Sequence, residues 1–365
     1  MKALTLVEYN RLVYGDMPDP EPGAGEVLVR VKACGICGSD VHGLDGSTGR
    51  RRPPIVMGHE AAGTIAALGS GVSQWQVGDR VTFDSTVYCG TCDYCQRGQA
   101  NLCDRRRVLG VSCEEYRCHG AFADFVVVPQ RILYRLPAAV TYEQAAMVEA
   151  LSVAVHAVHR ATHGHRPPPG MADTAYGPLA PAPAGPRGSA VVVGAGMIGL
   201  LAVQALRAAG WTQIIAADLD PRRLQTAKML GAHAVLDARA ANLAQEVVQL
   251  TGGRGADATF EVVGSAPAVQ TAIACVRKGG TVVLVGNLAR EVPFPLQAAV
   301  TRELDIFGSC ASSGEYPECL ELIARGKVDV GALISAVAPL SEGAQWFARL
   351  RNGEAGLMKV VLTTD

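Results

Sequence analysis

Short apolar runs separated by Gly, Pro and Asp dominate the first 150 residues. Residues 27–31 (Val-Leu-Val-Arg-Val) and residues 125–128 (Phe-Val-Val-Val), the latter stopped by Pro129, each predict a short strand. From about Glu143 the apolar positions recur at helical spacing, as at Ala146, Val148 and Leu151. The pattern therefore predicts a mainly β region that passes into a helix near residue 143.

Strands and helices alternate between residues 189 and 300. Apolar runs predict strands at residues 190–193, 213–217, 258–263 and 281–285. Helical periodicity predicts helices at 197–209 and 221–230, which Gly210 and Gly231 end. Alternation at this spacing is typical of an α/β fold with a doubly wound, parallel Rossmann sheet. A further strand is predicted at residues 358–362.

These changes of pattern predict two domains. Residues 153–299 are assigned to the Rossmann domain, and residues 1–152 together with 300–365 to a mainly β domain. Residues 163–188 are rich in Pro and Gly and have little hydrophobic periodicity, which predicts a long connecting loop. This loop is either a tolerated surface insertion or a segment that packs on a neighbouring subunit.

Composition limits the possible functions and locations of the chain. Of 365 residues, 49% are hydrophobic and the formal net charge is −1, which favours a globular chain and argues against a nucleic-acid-binding surface. The arginine clusters at 50–52 and 105–107 are interpreted as solvated loop charge. No secretory signal or membrane span is evident, and eleven cysteines then indicate metal ligation or free thiols in a reducing compartment. We expect a cytoplasmic protein without membrane partners.

A glycine-rich turn follows the first Rossmann strand. Residues 194–199 (Gly194, Gly196 and Gly199, with Met197 and Ile198 between the last two) match G-x-G-x-x-G. The match lies directly between an apolar strand and a helix, which is the context that the motif needs. Glycines there allow a tight turn and bring the pyrophosphate of a dinucleotide close to the N–H groups of the helix N-terminus.

An acidic residue ends the next strand. Asp218, 19 residues after Gly199, is placed to accept hydrogen bonds from ribose hydroxyls and would repel the 2′-phosphate of NADP. NAD is therefore the expected cofactor. Arg222 and Arg223 follow closely, and either one would be able to pair with that phosphate if Asp218 turned away, so Arg223 is also a candidate cofactor contact.

Four cysteines lie within fifteen residues. Cys89, Cys92, Cys95 and Cys103 form C-x₂-C-x₂-C-x₇-C, and four thiolates close a tetrahedron around zinc with no open position. This spacing predicts a structural zinc, with Gly90 and Gly98 allowing the loop to wrap the ion. An iron–sulfur cluster is the alternative, although nothing else in the chain indicates electron transfer.

A second set of metal-binding residue types is more scattered. It comprises Cys37, His59, Glu60 and Glu149. A thiol, an imidazole and carboxylates all ligate zinc, but the spacing alone does not distinguish a joint site from separate structural residues. Adjacent residues on an extended strand point to opposite faces, so His59 and Glu60 can both ligate only if the chain bends there.

The order of these motifs resembles one known family. Cys-Gly-Ile-Cys-Gly-Ser-Asp-Val-His at 34–42, Gly-His-Glu at 58–60, the four-cysteine loop, Val-Glu at 148–149 and G-x-G-x-x-G together resemble the zinc-containing medium-chain dehydrogenases. Within that family the chain looks closest to the sorbitol (polyol) and threonine dehydrogenases, which have Glu where other alcohol dehydrogenases have a third cysteine ligand. That position here is Glu149, although Ala150 follows it where the polyol enzymes usually have Pro.

The resemblance implies a fold, a reaction and roles for residues. It implies a GroES-like catalytic domain beside the Rossmann domain, with a catalytic zinc held by Cys37 and His59 and with Glu60 or Glu149, directly or through water, completing the site. It implies hydride transfer from a secondary alcohol, a polyol or sugar alcohol, to NAD. Ser39 would take the substrate proton and His42 would pass it to solvent. Arg302 resembles a substrate-contacting Arg of the polyol enzymes.

Family members are commonly dimers or tetramers, so a homo-oligomer, specifically a homotetramer, is expected. Two alternatives remain open: a threonine 3-dehydrogenase-like amino-alcohol dehydrogenase, and a zinc- and NAD-binding protein without catalysis. The second predicts the four-cysteine zinc, no second zinc and no turnover.

Overall fold

The computed structural model describes residues 1–163 and 187–364, which form two compact units. The first unit comprises Met1–Glu149, Tyr316–Arg325 and Val330–Asp365, and the second comprises Ala150–Glu315 and Gly326–Asp329. The chain thus enters the second unit once for a long stretch, and a short segment, Gly326–Asp329, returns to it later.

The described residues contain the following elements in chain order. The strands are β1 Lys2–Glu8, β2 Arg11–Asp16, β3 Glu26–Gly35, β4 Ile55–Val56, β5 Glu60–Leu68, β6 Arg80–Phe83, β7 Thr86–Val87, β8 Arg107–Val108, β9 Val111–Ser112, β10 Arg117–Cys118, β11 Phe125–Pro129, β12 Leu133–Arg135, β13 Arg187–Val193, β14 Trp211–Asp218, β15 Ala234–Asp237, β16 Ala256–Glu261, β17 Val276–Leu284, β18 Asp305–Gly308, β19 Ile334–Pro339 and β20 Lys359–Thr363. The α-helices are α1 Gly38–Gly43, α2 Asp93–Gln96, α3 Tyr142–Ala146, α4 Val148–His163, α5 Met197–Ala208, α6 Pro221–Met229, α7 Leu243–Leu250, α8 Ala266–Cys275, α9 Leu296–Thr301, α10 Tyr316–Ala324 and α11 Gly343–Arg351. Short 3₁₀ turns lie at Ala100–Leu102, Gln130–Ile132, Gly331–Leu333 and Leu340–Glu342.

A seven-stranded sheet forms the centre of the first unit. Its order is β12-β6-β5-β3-β20-β19, and β11 also pairs with β3. All of these pairs are antiparallel except β19 with β20. Val27, Val29 and Val31 alternate along β3 and are fully buried, so one face of this strand is part of the core. The metal-ligand candidates lie at the end of this sheet where β3 ends and β5 begins.

A six-stranded parallel sheet forms the centre of the second unit. Its order is β15-β14-β13-β16-β17-β18, and every pair in it is parallel. In chain order this is 3-2-1-4-5-6, the doubly wound order of a dinucleotide-binding fold. Buried apolar side chains such as Val191, Ile215 and Val282 on its strands pack with helix residues such as Ala272. The strand order reverses beside β13, so the turn after β13 lies where ligands bind in such sheets.

The structure confirms the predicted alternation of strands and helices and differs in detail. The helix predicted from residue 143 is divided at Met147 into α3 and α4, where the α3 cap residue Met147 has backbone angles of −81° and −7°. The strand β18, which the sequence boundary at 299 places in the catalytic domain, pairs with β17 of the parallel sheet. Most of the predicted loop, residues 164–186, lies outside the described residues. Within the described part of the chain, no helix has the length and hydropathy needed to cross a membrane.

Candidate functional site

The four-cysteine loop follows β7 and surrounds the one-turn helix α2. Cys92 caps the N-terminus of α2, Cys95 lies within it, and Cys103 ends the 3₁₀ turn Ala100–Leu102. Gly90 and Gly98 have φ values of +79° and +76°, a left-handed conformation that side chains disfavour. The glycines therefore allow the chain reversals that bring the four cysteines to one point, as the sequence predicts.

The geometry of this loop suits zinc. The four thiol sulfurs all lie within 4.8 Å of one another, and Cys89 Sγ lies 3.9 Å from Cys95 Sγ. Sulfurs at about 2.3 Å from a tetrahedral zinc are about 3.8 Å apart, whereas disulfide sulfurs are bonded at about 2 Å. The backbone N–H groups of Thr91 and Cys92 donate to Cys89 Sγ at 3.4 and 3.3 Å. The Thr91 N–H in particular lowers the pKa of Cys89 to about 5, which favours the thiolate form that binds metal.

The second metal-ligand set combines a helix cap with a bend. Cys37 caps the N-terminus of α1, and His59 lies between Gly58, whose φ is +91°, and the first residue of β5. The chain therefore bends before Glu60, as the sequence analysis requires if both residues are to ligate. Ligand atoms of Cys37, His59 and Glu60 all lie within 4.8 Å of one another. A thiol, an imidazole and a carboxylate are thus brought together from two parts of the chain.

Glu60 has a buried partner that the sequence analysis missed. The Lys359 ammonium donates to Glu60 Oε2 at 2.5 Å and to the Ile36 carbonyl at 3.1 Å, and both side chains are almost fully buried. A Cβ atom on Gly35 would lie 2.4 Å from Glu60 Oε2, so a larger residue at position 35 would displace this carboxylate from its present position. The sequence did contain a signal for this partner, because Lys359 lies near the start of the apolar run 358–362. A charged side chain in a buried strand is unfavourable unless it is paired, so such a lysine indicates a buried acidic partner.

Glu149 lies apart from this compact set. It is in the first turn of α4, and the Ser85 hydroxyl donates to its Oε1 at 3.4 Å. In the described residues, Glu149 is not among the groups whose ligand atoms lie within 4.8 Å of one another. Removal from water raises the pKa of Glu149, and the charge of Glu60 adds to that increase. The structure therefore brings Glu60, and not Glu149, directly to Cys37 and His59.

A buried carboxylate lies behind His59. Asp40 Oδ1 lies 3.5 Å from His59 Nδ1 and accepts a hydrogen bond from Arg51 Nη2 at 2.9 Å. Although burial acts to raise the pKa of Asp40, the charges of His59 and Arg51 hold it well below its usual range. Burial acts to lower the pKa of His59, but Asp40 and Cys37 raise it well above its usual value. This arrangement stabilises and orients the imidazole, as a carboxylate partner does for histidine ligands in metal sites.

The arginine cluster at 50–52 is divided by the fold. Arg50 and Arg52 are exposed, as the interpretation as solvated loop charge requires, but that interpretation is wrong for Arg51. The Arg51 side chain is 4% exposed because Asp40, which is fully buried, draws its guanidinium inward. Three consecutive arginines gave no signal that the middle one is buried.

Ser39 and His42 both lie on α1. The Ser39 hydroxyl donates to Cys37 Sγ at 3.3 Å, so it is beside the metal-ligand set and is also exposed. His42 lies one helical turn later with its side chain exposed. The helix therefore presents a hydroxyl next to the ligand set and an imidazole nearer to solvent on one side of the same short element.

The glycine-rich turn of the second unit has the shape of a phosphate cradle. Gly194 has φ +101°, and a Cβ atom on Gly199 would lie 1.8 Å from the Gly194 carbonyl oxygen, so the helix packs directly against the turn. A Cβ atom on Gly196, the N-cap of α5, would meet nothing within 4 Å. The backbone is thus open to a ligand at Gly196, and the N–H groups of Met197 and Ile198 begin a twelve-residue helix there.

Asp218 ends β14 beside this turn. Its Oδ2 accepts a hydrogen bond from the Ala195 N–H at 2.6 Å, and its Oδ1 accepts one from the Asp220 N–H at 2.8 Å. The carboxylate therefore tethers the glycine-rich turn to the next strand. Arg222 pairs with Asp220 at 2.9 Å, while Arg223 is exposed in the first turn of α6.

Arg302 requires a correction. Its guanidinium donates to the carbonyls of Ile273 and Val276, at the end of α8 and the start of β17. These groups lie at the amino edge of the parallel sheet, whereas ligands bind such sheets beyond the carboxyl ends of the strands. Arg302 satisfies helix carbonyls in this structure, and the expected substrate contact is not supported.

Comparisons with known proteins agree with this architecture. The family model of the alcohol dehydrogenase GroES-like domain matches residues 23–138, and that of zinc-binding dehydrogenases matches residues 198–325. The chain is 34% identical to a sorbitol dehydrogenase from Bacillus subtilis (strain 168), over 92% of this chain and 89% of that protein. It is 32% identical to a D-arabitol-phosphate dehydrogenase from Enterococcus avium, over 98% of this chain and 95% of that protein.

Solved structures give the same result. An alcohol dehydrogenase from Thermus sp. ATN1 has a TM-score of 0.88 and 30% identity, covering 100% of both chains. A zinc-binding dehydrogenase from Sinorhizobium meliloti 1021 bound to NADP has a TM-score of 0.86 and 29% identity, covering 99% of this chain and 98% of that chain. The two metal-ligand sets, the glycine-rich turn and these similarities over nearly the whole length together show that the chain belongs to the zinc-containing medium-chain dehydrogenase family and is an oxidoreductase that uses a nicotinamide dinucleotide.

Proposed function

We propose that the protein is a zinc-dependent dehydrogenase that transfers hydride from a secondary alcohol, a polyol or sugar alcohol, to NAD. One observation carries this proposal: Cys37, His59 and Glu60 converge within 4.8 Å as a mixed set, separate from the closed set of four cysteines. A four-thiolate site leaves no position for a substrate, whereas a mixed site with fewer ligands does. The chain therefore has one site suited to structure and one suited to chemistry.

Cys37 and His59 would hold the catalytic zinc, and Glu60 is the carboxylate that has a ligand atom within 4.8 Å of theirs. With Nδ1 of His59 turned toward Asp40, Nε2 is the ring nitrogen that remains for a metal. Glu60 is also bound by Lys359, so its carboxylate is shared between an ammonium group and the ligand set. Glu149 is the candidate for a contact through water. A zinc ion in this site supplies a Lewis acid that makes the substrate hydroxyl more acidic.

Ser39 and His42 would move the substrate proton. Ser39 Oγ lies 3.3 Å from Cys37 Sγ, so its hydroxyl is beside any alcohol that approaches the metal ligands. His42 follows by one helical turn and is exposed, which suits a group that passes a proton to water. We assign Ser39 as a relay hydroxyl that accepts the substrate proton while it gives up its own proton, and His42 as the group that receives that proton and passes it to solvent.

The second unit would bind the dinucleotide. The open backbone at Gly196 and the N-terminus of α5, which starts at Met197 and Ile198, would receive the pyrophosphate, and Asp218 would accept hydrogen bonds from the adenosine ribose. The nicotinamide supplies the hydride acceptor. We propose NAD over NADP because the Asp218 carboxylate is held at the strand end by two backbone N–H groups, where it would oppose a 2′-phosphate.

A substrate panel tests the proposal. Sorbitol, xylitol, D-arabitol, D-arabitol phosphate, 2,3-butanediol and threonine are each offered with NAD and with NADP, and NADH or NADPH absorbance is followed. We expect the highest kcat/KM with a polyol and NAD. The highest kcat/KM with threonine would instead support an amino-alcohol dehydrogenase. No turnover with any alcohol in a protein that retains both zinc ions would contradict the proposal.

We also propose that the protein is a cytoplasmic homo-oligomer, specifically a tetramer. Leu288, Leu296 and Val300 are each 66% exposed, and Phe294 between them is 41% exposed, which is an unusual density of exposed apolar side chains in one short segment. None of the eleven cysteines, all of which lie in the described residues, is part of a disulfide, which suits a reducing compartment. Light scattering of the purified protein, repeated with Val300→Asp, tests the assembly, and cell fractionation tests the location.

A further inference from the structure

Arg51 is a buried cation between two exposed ones. Its side chain is 4% exposed, whereas the Arg52 side chain is 48% exposed and pairs at the surface with Glu114 at 3.4 Å. Placing a guanidinium inside a protein is unfavourable unless its donors are matched by acceptors. The acceptors of Arg51 therefore indicate what the residue does.

Arg51 contacts two residues of the segment that carries Cys37. Its Nη2 donates to Asp40 Oδ1 at 2.9 Å and also lies 3.3 Å from Ser39 Oγ, and its Nε donates to the same Asp40 oxygen at 3.3 Å. Its Nη1 donates to the Arg50 carbonyl at 3.0 Å. One side chain thus joins the carboxylate that faces His59 to the hydroxyl that faces Cys37.

The surrounding backbone holds Arg51 in this position. The Arg52 N–H donates to the Ser112 carbonyl at 3.0 Å, and the Ser112 N–H donates to the Arg50 carbonyl at 3.2 Å, so both neighbours of Arg51 are tied to β9. A Cβ atom on Gly43 would lie 2.4 Å from Arg51 Cγ. The end of α1 therefore has room for the arginine stem only because residue 43 is glycine.

We infer that Arg51 is a positioning residue that couples the orientation of the His59 ligand, through Asp40, to the placement of the Ser39 hydroxyl. This inference rests on the proposed function. The coupling is specific to a guanidinium because it is planar, carries five donors and always remains charged, so it reaches Asp40 and Ser39 at once.

Loss of the guanidinium would affect both partners of Arg51. Asp40 is fully buried, and without Arg51 its remaining contacts would be His59 and the Cys37 N–H, which lies 3.3 Å from Oδ2. A buried carboxylate that loses its hydrogen-bond donor is free to rotate, and rotation of Asp40 would move Oδ1 from its position 3.5 Å from His59 Nδ1 and so release the imidazole. Because a guanidinium only donates, Arg51 also fixes Ser39 Oγ as an acceptor and leaves its hydrogen directed to Cys37 Sγ.

Zinc release from the holoenzyme provides the first test. Arg51→Met keeps a side chain of similar length without the charge, and Arg51→Lys keeps the charge without the planar guanidinium and its several N–H donors. Arg52→Met is the matched control at an exposed position. With a chelator in excess and a colorimetric zinc indicator, we expect Arg51→Met to lose one zinc per chain roughly 10- to 100-fold faster than the unaltered protein. This is the range by which metal affinity falls when a residue that hydrogen-bonds to a metal ligand is removed. Arg51→Lys should fall between the two, and Arg52→Met should match the unaltered protein.

Kinetics provides the second test, for the Ser39 contact. Arg51→Met in the zinc-saturated state should lower kcat and shift the pH profile of kcat while the NADH dissociation constant stays unchanged. Ser39→Ala combined with Arg51→Met should lower kcat by less than the product of the two single effects, because both variants disturb the same hydroxyl. A purely structural role of Arg51 would lower thermal stability without this non-additivity.

Each outcome bears on the inference. If zinc release and kcat of Arg51→Met match those of Arg52→Met, the inference is overturned. If Arg51→Met does not accumulate as folded protein, Gly43→Ala replaces it, since the added methyl displaces the Arg51 stem, and the same faster zinc release is expected. If the unaltered protein holds two zinc ions but turns over no alcohol, the proposed function fails, while the zinc-release comparison still decides the role of Arg51.

Discussion

Removal of the Asp218 carboxylate is a sharp test of the cofactor site. The side chain accepts hydrogen bonds from the N–H groups of Ala195 and Asp220 at 2.6 and 2.8 Å, and it is 8% exposed. Each oxygen of a carboxylate has a further lone pair, so the ribose hydroxyls would be accepted in addition to these two contacts. Asp218→Ala therefore removes a ribose acceptor and also the tether of the glycine-rich turn.

The size of the effect follows from the hydrogen bonds. A hydrogen bond to a charged group contributes about 1.5–3 kcal/mol, and each 1.4 kcal/mol changes a dissociation constant tenfold, so we expect NADH to bind Asp218→Ala about 10- to 150-fold more weakly. The affinity for NADPH should fall by less than that for NADH, or should rise, because the charge that opposes the 2′-phosphate is removed. Asp218→Asn, which keeps one acceptor oxygen, should give an intermediate result for NADH.

Titration of NADH and NADPH by fluorescence measures both dissociation constants. Asp237→Ala is the matched control, because Asp237 aligns with Asp218 on the neighbouring strand β15 but is exposed and pairs with Arg239. We expect the control to bind both dinucleotides as the unaltered protein does. Unchanged NADH binding by Asp218→Ala, or tighter binding of NADPH than of NADH by the unaltered protein, would refute this reasoning.

Two further predictions concern the second unit. Gly196→Ala should fold normally and bind NADH more weakly, because its methyl group meets no protein atom within 4 Å and would occupy the space left for the pyrophosphate; Gly199→Ala, whose methyl group would lie 1.8 Å from the Gly194 oxygen, should instead lower stability by about 1–3 kcal/mol in thermal unfolding. Equal stability of the two variants would contradict this. Hydrogen bonds from His156, at 2.7 Å, and His159 outweigh burial and lower the pKa of Glu315 from 4.5 to about 2. A carboxyl group whose pKa is lowered in the folded protein stabilises the fold at pH values above its ordinary pKa, and it loses that contribution as the pH falls toward 2. Glu315→Gln should therefore be less stable than the unaltered protein by an amount of order 3 kcal/mol at pH 7, and the difference should become progressively smaller below about pH 4.5. A difference independent of pH in urea unfolding would show that the charge of Glu315 is not responsible.

The fold was largely predictable because its signals are local. Strands β13, β14 and β16 contain buried apolar runs, and Gly194 of the glycine-rich turn has a φ of +101° that favours glycine, so both features are visible in the sequence. The edge strand β18 was less visible, because its sequence Asp-Ile-Phe-Gly is short and only partly buried. Its pairing with β17 depends on contacts that the pattern of a single segment does not contain.

The metal-ligand candidates were also predictable, whereas their supporting residues were not. Thiol and imidazole ligands stand in short motifs with glycine, but the partners of these ligands come from other parts of the chain. Lys359 lies 299 positions from Glu60 in the sequence. Arg51 is the middle one of three consecutive arginines, and only the tertiary structure shows that it is buried against Asp40. The substrate role of Arg302 failed for the same reason, since the edge of the sheet at which a side chain lies is a property of the tertiary structure.

A zinc count in two variants tests the central claim that the chain has two metal sites with different roles. The zinc content per chain is measured by mass spectrometry in the unaltered protein, in Cys37→Ala and in Cys92→Ala, together with turnover and thermal unfolding. We expect two zinc ions in the unaltered protein. We expect one zinc, no turnover and a nearly unchanged unfolding temperature in Cys37→Ala, and loss of the other zinc with a clearly lower unfolding temperature in Cys92→Ala. A single zinc in the unaltered protein, or full turnover in Cys37→Ala, would contradict the presence of two metal sites with different roles.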